Sequence, residues 1–508
     1  MIFTAIFVIT FSMAPTQKLG NFETQATQKP VILIAIDSLM DEPLQKAMKE
    51  GKAPAIAYLI EKGNYIPDMI SSYPTMSVSI DSTILTGVYA NEHKIPGLIW
   101  FNEKEQRIVS YGSGMREIWD NGVKNVAKDS IIRLNNENLS KDVTTIYEEL
   151  SSAQIPSASI NGLIFRGDTK HQLNVPNMIS WMKLLPKEIE VNGPTLLSLG
   201  VLSQYNPDND QHKFIWSRMG VNDEFTVNEV KYLIDENRLP PFTLAYLPDA
   251  DAVIHEKGPK NIRSIEKADQ AIQELLNQFS TWEEAIEKVA WVIVGDSGQS
   301  YVEKEKNAGL INLNDLLKEY SFWSSENPKA ELAIGINERM AYIYLNGESI
   351  EMTSIINKLK EDERIGFIAW KDSELNYVTS PDEDRLLSFS PNGQYVDSYQ
   401  QSWSLDGDSA LLDISLTENG QIQYSQYPDA LARLNGALHS HEGRFIIVDA
   451  KPSYEFIEEH SKDHAGGGAH GSLHQVDSIV PMIIAGVDSK PKYSRLVDLK
   501  AWLIEIVQ

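Results

Sequence analysis

The chain has 508 residues, of which 42% are hydrophobic and 23% charged, ordinary globular usage that supplies a sizeable core and gives no indication of disorder. Its formal charge, 45 − 71 = −26, repels a phosphate backbone and disfavours duplex nucleic acid as a partner. There is no cysteine, which excludes a disulfide scaffold, a thiolate zinc site and a cysteine nucleophile, and leaves any metal to His, Asp, Glu and hydroxyls.

In chain order, residues 1–30 read as a leader and linker. Residues 2–13 are mostly apolar, small residues near Ala14 and Ala26 offer cleavage points, and the run is short for a membrane span. An exported protein, secreted or held in the cell envelope, is expected. VILIAID (31–37) is a continuous apolar run ending in an acid, the pattern of a strand buried on both faces of a parallel sheet. A helical stretch follows to about residue 62. SYPTMSVSIDSTILTG (72–87) reads as a loop leading into a short helix that stops at Gly87. Helical patterns over 144–154 and 262–279 alternate with strand-like runs at 157–165, 241–248 and 289–296, which predicts a layered α/β sheet. Residues 166–235 are richer in Pro, Asn and aromatics and read as an insertion. From about residue 328 the texture changes: 331–346, a helix at 353–361 and 367–372 form a small α+β insert, and 380–430 is rich in turns. The runs 444–450 and 479–486 then return as core-like strands before a closing helix at 493–507. The organisation predicted is a catalytic domain of 31–327 with 431–508, carrying an insert or cap of 328–430.

Acids and histidines gather where the core strands end. Asp37 ends the first strand, Asp249 and Asp251 follow LAYLP with His255 one turn on, Asp296 ends WVIVGD, and His464, His470 and His474 precede IVPMIIAG. Ligands of open α/β sheets bind outside the carboxyl ends of the strands. Mixed Asp/His sets suit zinc, manganese or similar ions, and a pair of such ions can clamp an in-line displacement at phosphorus. A hydroxyl at the start of the short helix that stops at Gly87 would lie beside backbone N–H groups able to hold phosphate oxygens. Spacing alone leaves Ser77, Ser79, Ser82 and Thr75 open for that role.

These blocks, in this order, resemble the type I phosphodiesterase/nucleotide pyrophosphatase family of the alkaline phosphatase superfamily. The resemblance is carried by VILIAIDSL, by YPTMSVSIDSTILTGVYANEHKIPG with His93 and Gly97, by YLPDADAVIHEKGP, by VIVGDSGQS and by GGGAHGSLHQVDSIVPMIIAG. It implies an alkaline-phosphatase-like three-layer α/β/α sandwich with a mostly parallel central sheet and a small α+β insert. It also implies a metal-dependent phosphoric ester hydrolase acting through a phospho-seryl intermediate on Ser77. Two divalent ions, zinc by family habit with manganese or magnesium as alternatives, are implied. One would be held by Asp251, His255 and His470, the other by Asp37, Ser77 and Asp296. Ser297, Asp249 and His474 are further candidates for a ligand or a supporting role. The implied substrate is a small phosphate ester, such as a nucleotide, a lipid head group or a cell-envelope component. The lack of an Arg soon after Ser77 speaks against a sulfatase.

The sequence departs from the family pattern at two positions. Ser297 stands where the family has a metal-binding His, and Ile80 where many members carry an Asn that donates to the phosphoryl group. One alternative follows from these departures, a homologue with little or no turnover acting as an extracellular binding protein; a third, weaker reading is an envelope phosphotransferase. Asn161, Arg166 and His171 are candidate substrate contacts, Arg166 reading better as part of a surface or fold ion pair.

Overall fold

The computed structural model describes residue 17 and residues 29–508, apart from 113–122, 177–179, 182, 184, 213–214, 348–349, 383–384 and 460. The leader expected over residues 1–30 therefore lies almost wholly outside the described residues. Among the described residues no helix is long and apolar enough to cross a membrane.

Seven strands form the main sheet, in the order Asn64–Ile70, Ile479–Ala485, Ala290–Gly295, Val31–Ile36, Phe242–Leu247, Ser157–Ile160, Leu196–Ser198. The pairings from Ala290–Gly295 to Leu196–Ser198 are parallel, and Ile479–Ala485 runs antiparallel to both of its neighbours. All six residues of Val31–Ile36 are buried because the strand is covered on both sides. Val31, Leu33 and Ala35 enter one apolar cluster with helices Ser77–Thr86, Ile146–Ser152 and Leu499–Val507. Ile32, Ile34 and Ile36 enter another with Asp41–Lys49, Pro54–Lys62, Asp223–Asp235 and Arg263–Leu276. Alternating residues feeding two cores is what a three-layer sandwich requires.

Some expectations are refined. The helix to residue 62 is two helices, because Gly51 turns left-handed at φ 69° and Pro54 then opens a new helix at its first turn. The 157–165 strand stops at Ile160, where Asn161 takes φ 56°. Within 166–235, Leu196–Ser198 extends the main sheet itself.

A second sheet of seven strands is antiparallel throughout, in the order Leu332–Asn337, Met340–Leu345, Phe445–Ala450, Ile365–Asp372, Leu375–Thr379, Leu387–Val396, Ser402–Gly407. This corrects the reading of 444–450 as a return to the main core. Phe445–Ala450 sits third in the second sheet, where its alternate residues face two different apolar clusters. It also places two strands in the stretch 380–430, whose half-exposed polar alternation masked them.

The hairpin turn after Leu332–Asn337 is tied to the block carrying His470. The Arg339 guanidinium pairs with Asp477, both side chains fully buried, and donates to Ala450 O at 3.0 Å. Arg339→Met, which strands a buried carboxylate, is expected to lower unfolding free energy by about 3–5 kcal/mol, and adding Asp477→Leu should restore part of it. Urea denaturation of the two variants checks this.

Candidate active site

Strand register sets the site. Ile36 lies opposite both Gly295 and Leu247, so Asp37, Asp296 and the helix Asp249–Lys257 leave the sheet at one edge. The helix puts Asp251 and His255 one turn apart on the same face. His470 arrives from the loop before Ile479–Ala485.

Asp251, His255 and His470 converge, with one ligand atom from each within 4.8 Å of the others. His255 Nε2 is 2.9 Å and His470 Nε2 3.7 Å from Asp251 Oδ1. The same carboxylate oxygen accepts from Ser38 Oγ at 3.1 Å and Gln299 Nε2 at 2.8 Å. Burial alone would raise Asp251, but His255 and His470 outweigh it and hold the group below the ordinary carboxylate range. Burial likewise opposes a charge on His255, yet Asp251 and Glu338 push its pKa up to about 10. The donor set of imidazole and carboxylate fits a divalent cation, for which protons would compete.

The second group is a set of acids. Asp37 is pushed well above the carboxylate range by burial and by Asp296 and Asp251, while Tyr246 O–H donates to it. Asp296 Oδ1 accepts from the backbone N–H of Ser38 at 2.8 Å and of Ser297 at 2.6 Å. Its Oδ2 is buried without a hydrogen-bond partner among the described residues. Repelling carboxylates and an orphaned oxygen fit a cation beside Asp37 and Asp296. Ser297 is fully buried, its Oγ 3.4 Å from Ser38 Oγ. Deeper in the same region, burial and Asp296 push Asp81 up to about 8. An acid raised on folding holds a proton that the unfolded chain has lost, so its cost grows with pH from about 4 and levels off above about 8. Asp81→Asn is therefore expected to raise the Tm of chelator-treated protein, little at pH 4 and most at pH 8–9, as thermal melts across that range would report.

The structure separates the competing hydroxyls. Ser77 is the first residue of helix Ser77–Thr86 and lines the cavity described below. Thr75 Oγ1 accepts from Gly471 N, Ser79 Oγ donates to Ile95 O and Ser82 Oγ to Val78 O, and all three side chains are buried. The helix ends on Gly87 at φ 72°, as its sequence predicts. His93 is also internal: it is buried 3.2 Å from Thr83 Oγ1, and burial lowers it to about 3.

The other candidates have partners of their own, and of these His464 also lines the cavity described below. Asp249 pairs with Arg218 and exchanges hydrogen bonds with Asp223. His474 caps helix Gln475–Ser478 by accepting from Val476 N at 3.2 Å. His464 leans on Glu455, its Nδ1 2.7 Å from Oε1. Asn161 binds Gly220 O, Thr226 and Gly200 N; Arg166 binds Glu148 and the carbonyls of Leu139, Ser140 and Val143; His171 binds Pro194 O. These three hold the fold together and are corrected as substrate contacts. Sequence reasoning missed Glu338, which comes from the second sheet, and the supporting Ser38, Tyr246 and Gln299. Ser38 and Gln299 flank flagged acids, so proximity in sequence was an available cue; Glu338 offered none.

A cavity of about 510 Å³ gathers Asp37, Ser77, Asp251, His255, Glu338 and His470, with Leu98, Ile99, Tyr111, Leu163 and Ile336 on an apolar wall and Arg218 and Lys462 among its polar lining. Residues 31–473 match the family model described as type I phosphodiesterase / nucleotide pyrophosphatase. No curated protein matches the chain by sequence. Among solved structures, the chain is similar to murine ectonucleotide pyrophosphatase / phosphodiesterase 5, at a TM-score of 0.57 and 12% identity over 94% of this chain and 95% of that one. An inactive variant of the murine protein in complex with AMP matches equally. The human counterpart matches at 0.56 and 13% identity over 94% and 95% of the two chains. At these identities the likeness shows the alkaline-phosphatase-like fold.

Proposed function

The chain belongs to the type I phosphodiesterase / nucleotide pyrophosphatase family, hydrolases of phosphoester bonds, and from that premise we propose that it cleaves a small phosphodiester or pyrophosphate through covalent attack by Ser77. The observation that carries this reading is the meeting of Ser77, Asp37, Asp251, His255 and His470 in one cavity.

Ser77 Oγ attacks phosphorus, the ester oxygen leaves, and water later releases the phospho-serine. Backbone N–H groups at the start of its helix would receive phosphoryl oxygens. Asp251, His255 and His470 would hold one divalent cation and Asp37, Asp296 and Ser77 a second, which when bound polarise the phosphoryl group and lower the pKa of a neighbouring hydroxyl or water. Tyr246 fixes the Asp37 carboxylate by donating to it, and Ser38 and Gln299 fix Asp251. The apolar wall gives a leaving group a surface to lie against. Zinc is the first ion to try, with manganese and magnesium next. The AMP complex of the murine neighbour makes nucleotide diesters the first substrates to try. Export is part of the same proposal, resting on the apolar run 2–13.

Chelator-stripped protein should lose hydrolysis of bis-p-nitrophenyl phosphate and regain it on adding zinc, manganese or magnesium. Undiminished turnover in the stripped protein would reject the metal-dependent reading. A second reading, a binding protein without turnover, is favoured by the buried Ser297 where an imidazole ligand is expected. Cation uptake without hydrolysis under any ion would decide for it. Transfer to an added alcohol in place of water would decide for a phosphotransferase.

A further inference from the structure

Glu338 enters the cavity from a part of the chain that none of the strand-end acids shares. It occupies the turn between Leu332–Asn337 and Met340–Leu345 at φ 58°, a left-handed conformation that side chains with a Cβ adopt uncommonly. The turn is held on both sides. Asn337 Oδ1 accepts from the N–H of Leu98 at 2.7 Å and of Ile99 at 3.2 Å. Glu338 O accepts from Phe456 N at 2.8 Å, and Arg339 N donates to His470 O at 2.9 Å. Gly471 lets the two backbones meet: a Cβ there would lie 2.2 Å from Asn337 O.

The result is a carboxylate fixed against the imidazoles. Glu338 Oε2 accepts from His470 N at 2.9 Å, and Oε1 lies 3.6 Å from His255 Nε2 and 3.8 Å from His470 Nε2. The imidazoles are oriented for a common target. His255 Nδ1 is 2.7 Å from Gly468 O and His470 Nδ1 2.5 Å from Thr75 O. A carbonyl can only accept, so Nδ1 carries the proton in each ring and Nε2 is the atom left to coordinate. Both Nε2 atoms face Asp251 Oδ1 and Glu338 Oε1.

We propose that Glu338 is a fourth protein ligand of the divalent cation whose other ligands are Asp251, His255 and His470. The proposal rests on the reading above that a cation occupies this side of the cavity. His464 is assigned a different part. His255, Glu338 and His464 also bring ligand atoms within 4.8 Å of one another, but the His464 ring stacks on His255 with centroids 4.1 Å apart and planes at 24°. Imidazole coordinates through a lone pair in the ring plane, and two nearly parallel stacked rings cannot both aim that lone pair at one ion. His464, held by Glu455, is a positioning residue that steadies His255. Two carboxylates and two imidazoles would fill a tetrahedral ion, so the site suits an ion that accepts five or six donors, such as manganese.

The test is chelator-competition titration of the full chain with Mn²⁺ and with Zn²⁺, together with X-ray absorption of the loaded protein. Glu338→Gln should weaken cation binding by about tenfold or more and remove one oxygen donor from the absorption fit, while His464→Ala keeps the donor number. Unchanged affinity and donor number in Glu338→Gln would overturn the assignment, as would loss of a donor in His464→Ala alone. If the amide variant fails to fold in cation-free thermal melts, Glu338→Asp, one methylene shorter, carries the same comparison. Ser77→Ala separates this from the function: hydrolysis surviving in that variant would reject the nucleophile and leave the titration of Glu338→Gln to stand by itself.

Discussion

Ser77→Ala is expected to lower bis-p-nitrophenyl phosphate hydrolysis by at least about a thousandfold, the scale on which removing a covalent nucleophile acts. The other hydroxyls of the segment cannot step in, because Thr75, Ser79 and Ser82 are buried and spent on Gly471, Ile95 and Val78. The variant removes one oxygen from the first position of a helix that stays packed through Val78, Ile80, Ile84 and Leu85, so its Tm should stay close to that of the parent. Cation uptake by Asp251, His255 and His470 should persist, since among the described residues these side chains are held by one another, by Glu338 and by the carbonyls of Gly468 and Thr75 rather than by Ser77. Steady-state kinetics with metal analysis of the same preparation gives both readings. A loss of less than about tenfold would remove Ser77 from the chemistry.

Asp251→Asn should produce the other large effect. The amide keeps the shape and its oxygen can still accept from Ser38 and Gln299, but it lacks the charge that balances two imidazoles. Cation affinity should fall by about a hundredfold or more, with activity falling alongside. In the cation-free variant the His255 pKa, about 10 in the parent because of Asp251 and Glu338, should move down toward the ordinary imidazole range. An NMR titration of the ring protons reads that movement, and calorimetric titration reads the affinity. An unmoved His255 with intact cation binding would mean that Asp251 is not the charge at the centre of the cluster.

How much of this was visible in the sequence follows from what each residue depends on. Asp37 and Asp296 stand at the ends of fully buried parallel strands. Such strands read as unbroken apolar runs, so their last residue is marked by the first acid. In-register pairing then brings them together without further information. Asp251 and His255 needed only helical spacing. His470 and His474 share one short segment, and spacing cannot tell a residue facing the cavity from one capping the next helix. Asp249 was drawn away by Arg218 and Asp223, partners far along the chain. Glu338 was hidden because its place depends on a hairpin of the second sheet meeting the Gly471 backbone. No local periodicity encodes such a contact. The second sheet was underestimated for a related reason: its outer strands alternate between buried and exposed residues, and their polar half reads as turn.

The pairing of Arg339 with Asp477 has a mechanical consequence. It fastens the tip of one sheet's hairpin to the chain segment that leads into the other sheet. A cation seated between Glu338 and Asp251 would act as a second rivet across that seam, a few residues from the first. Ion loading should then raise the melting temperature of both halves together, by the mass-action rule for a ligand that the unfolded chain does not bind.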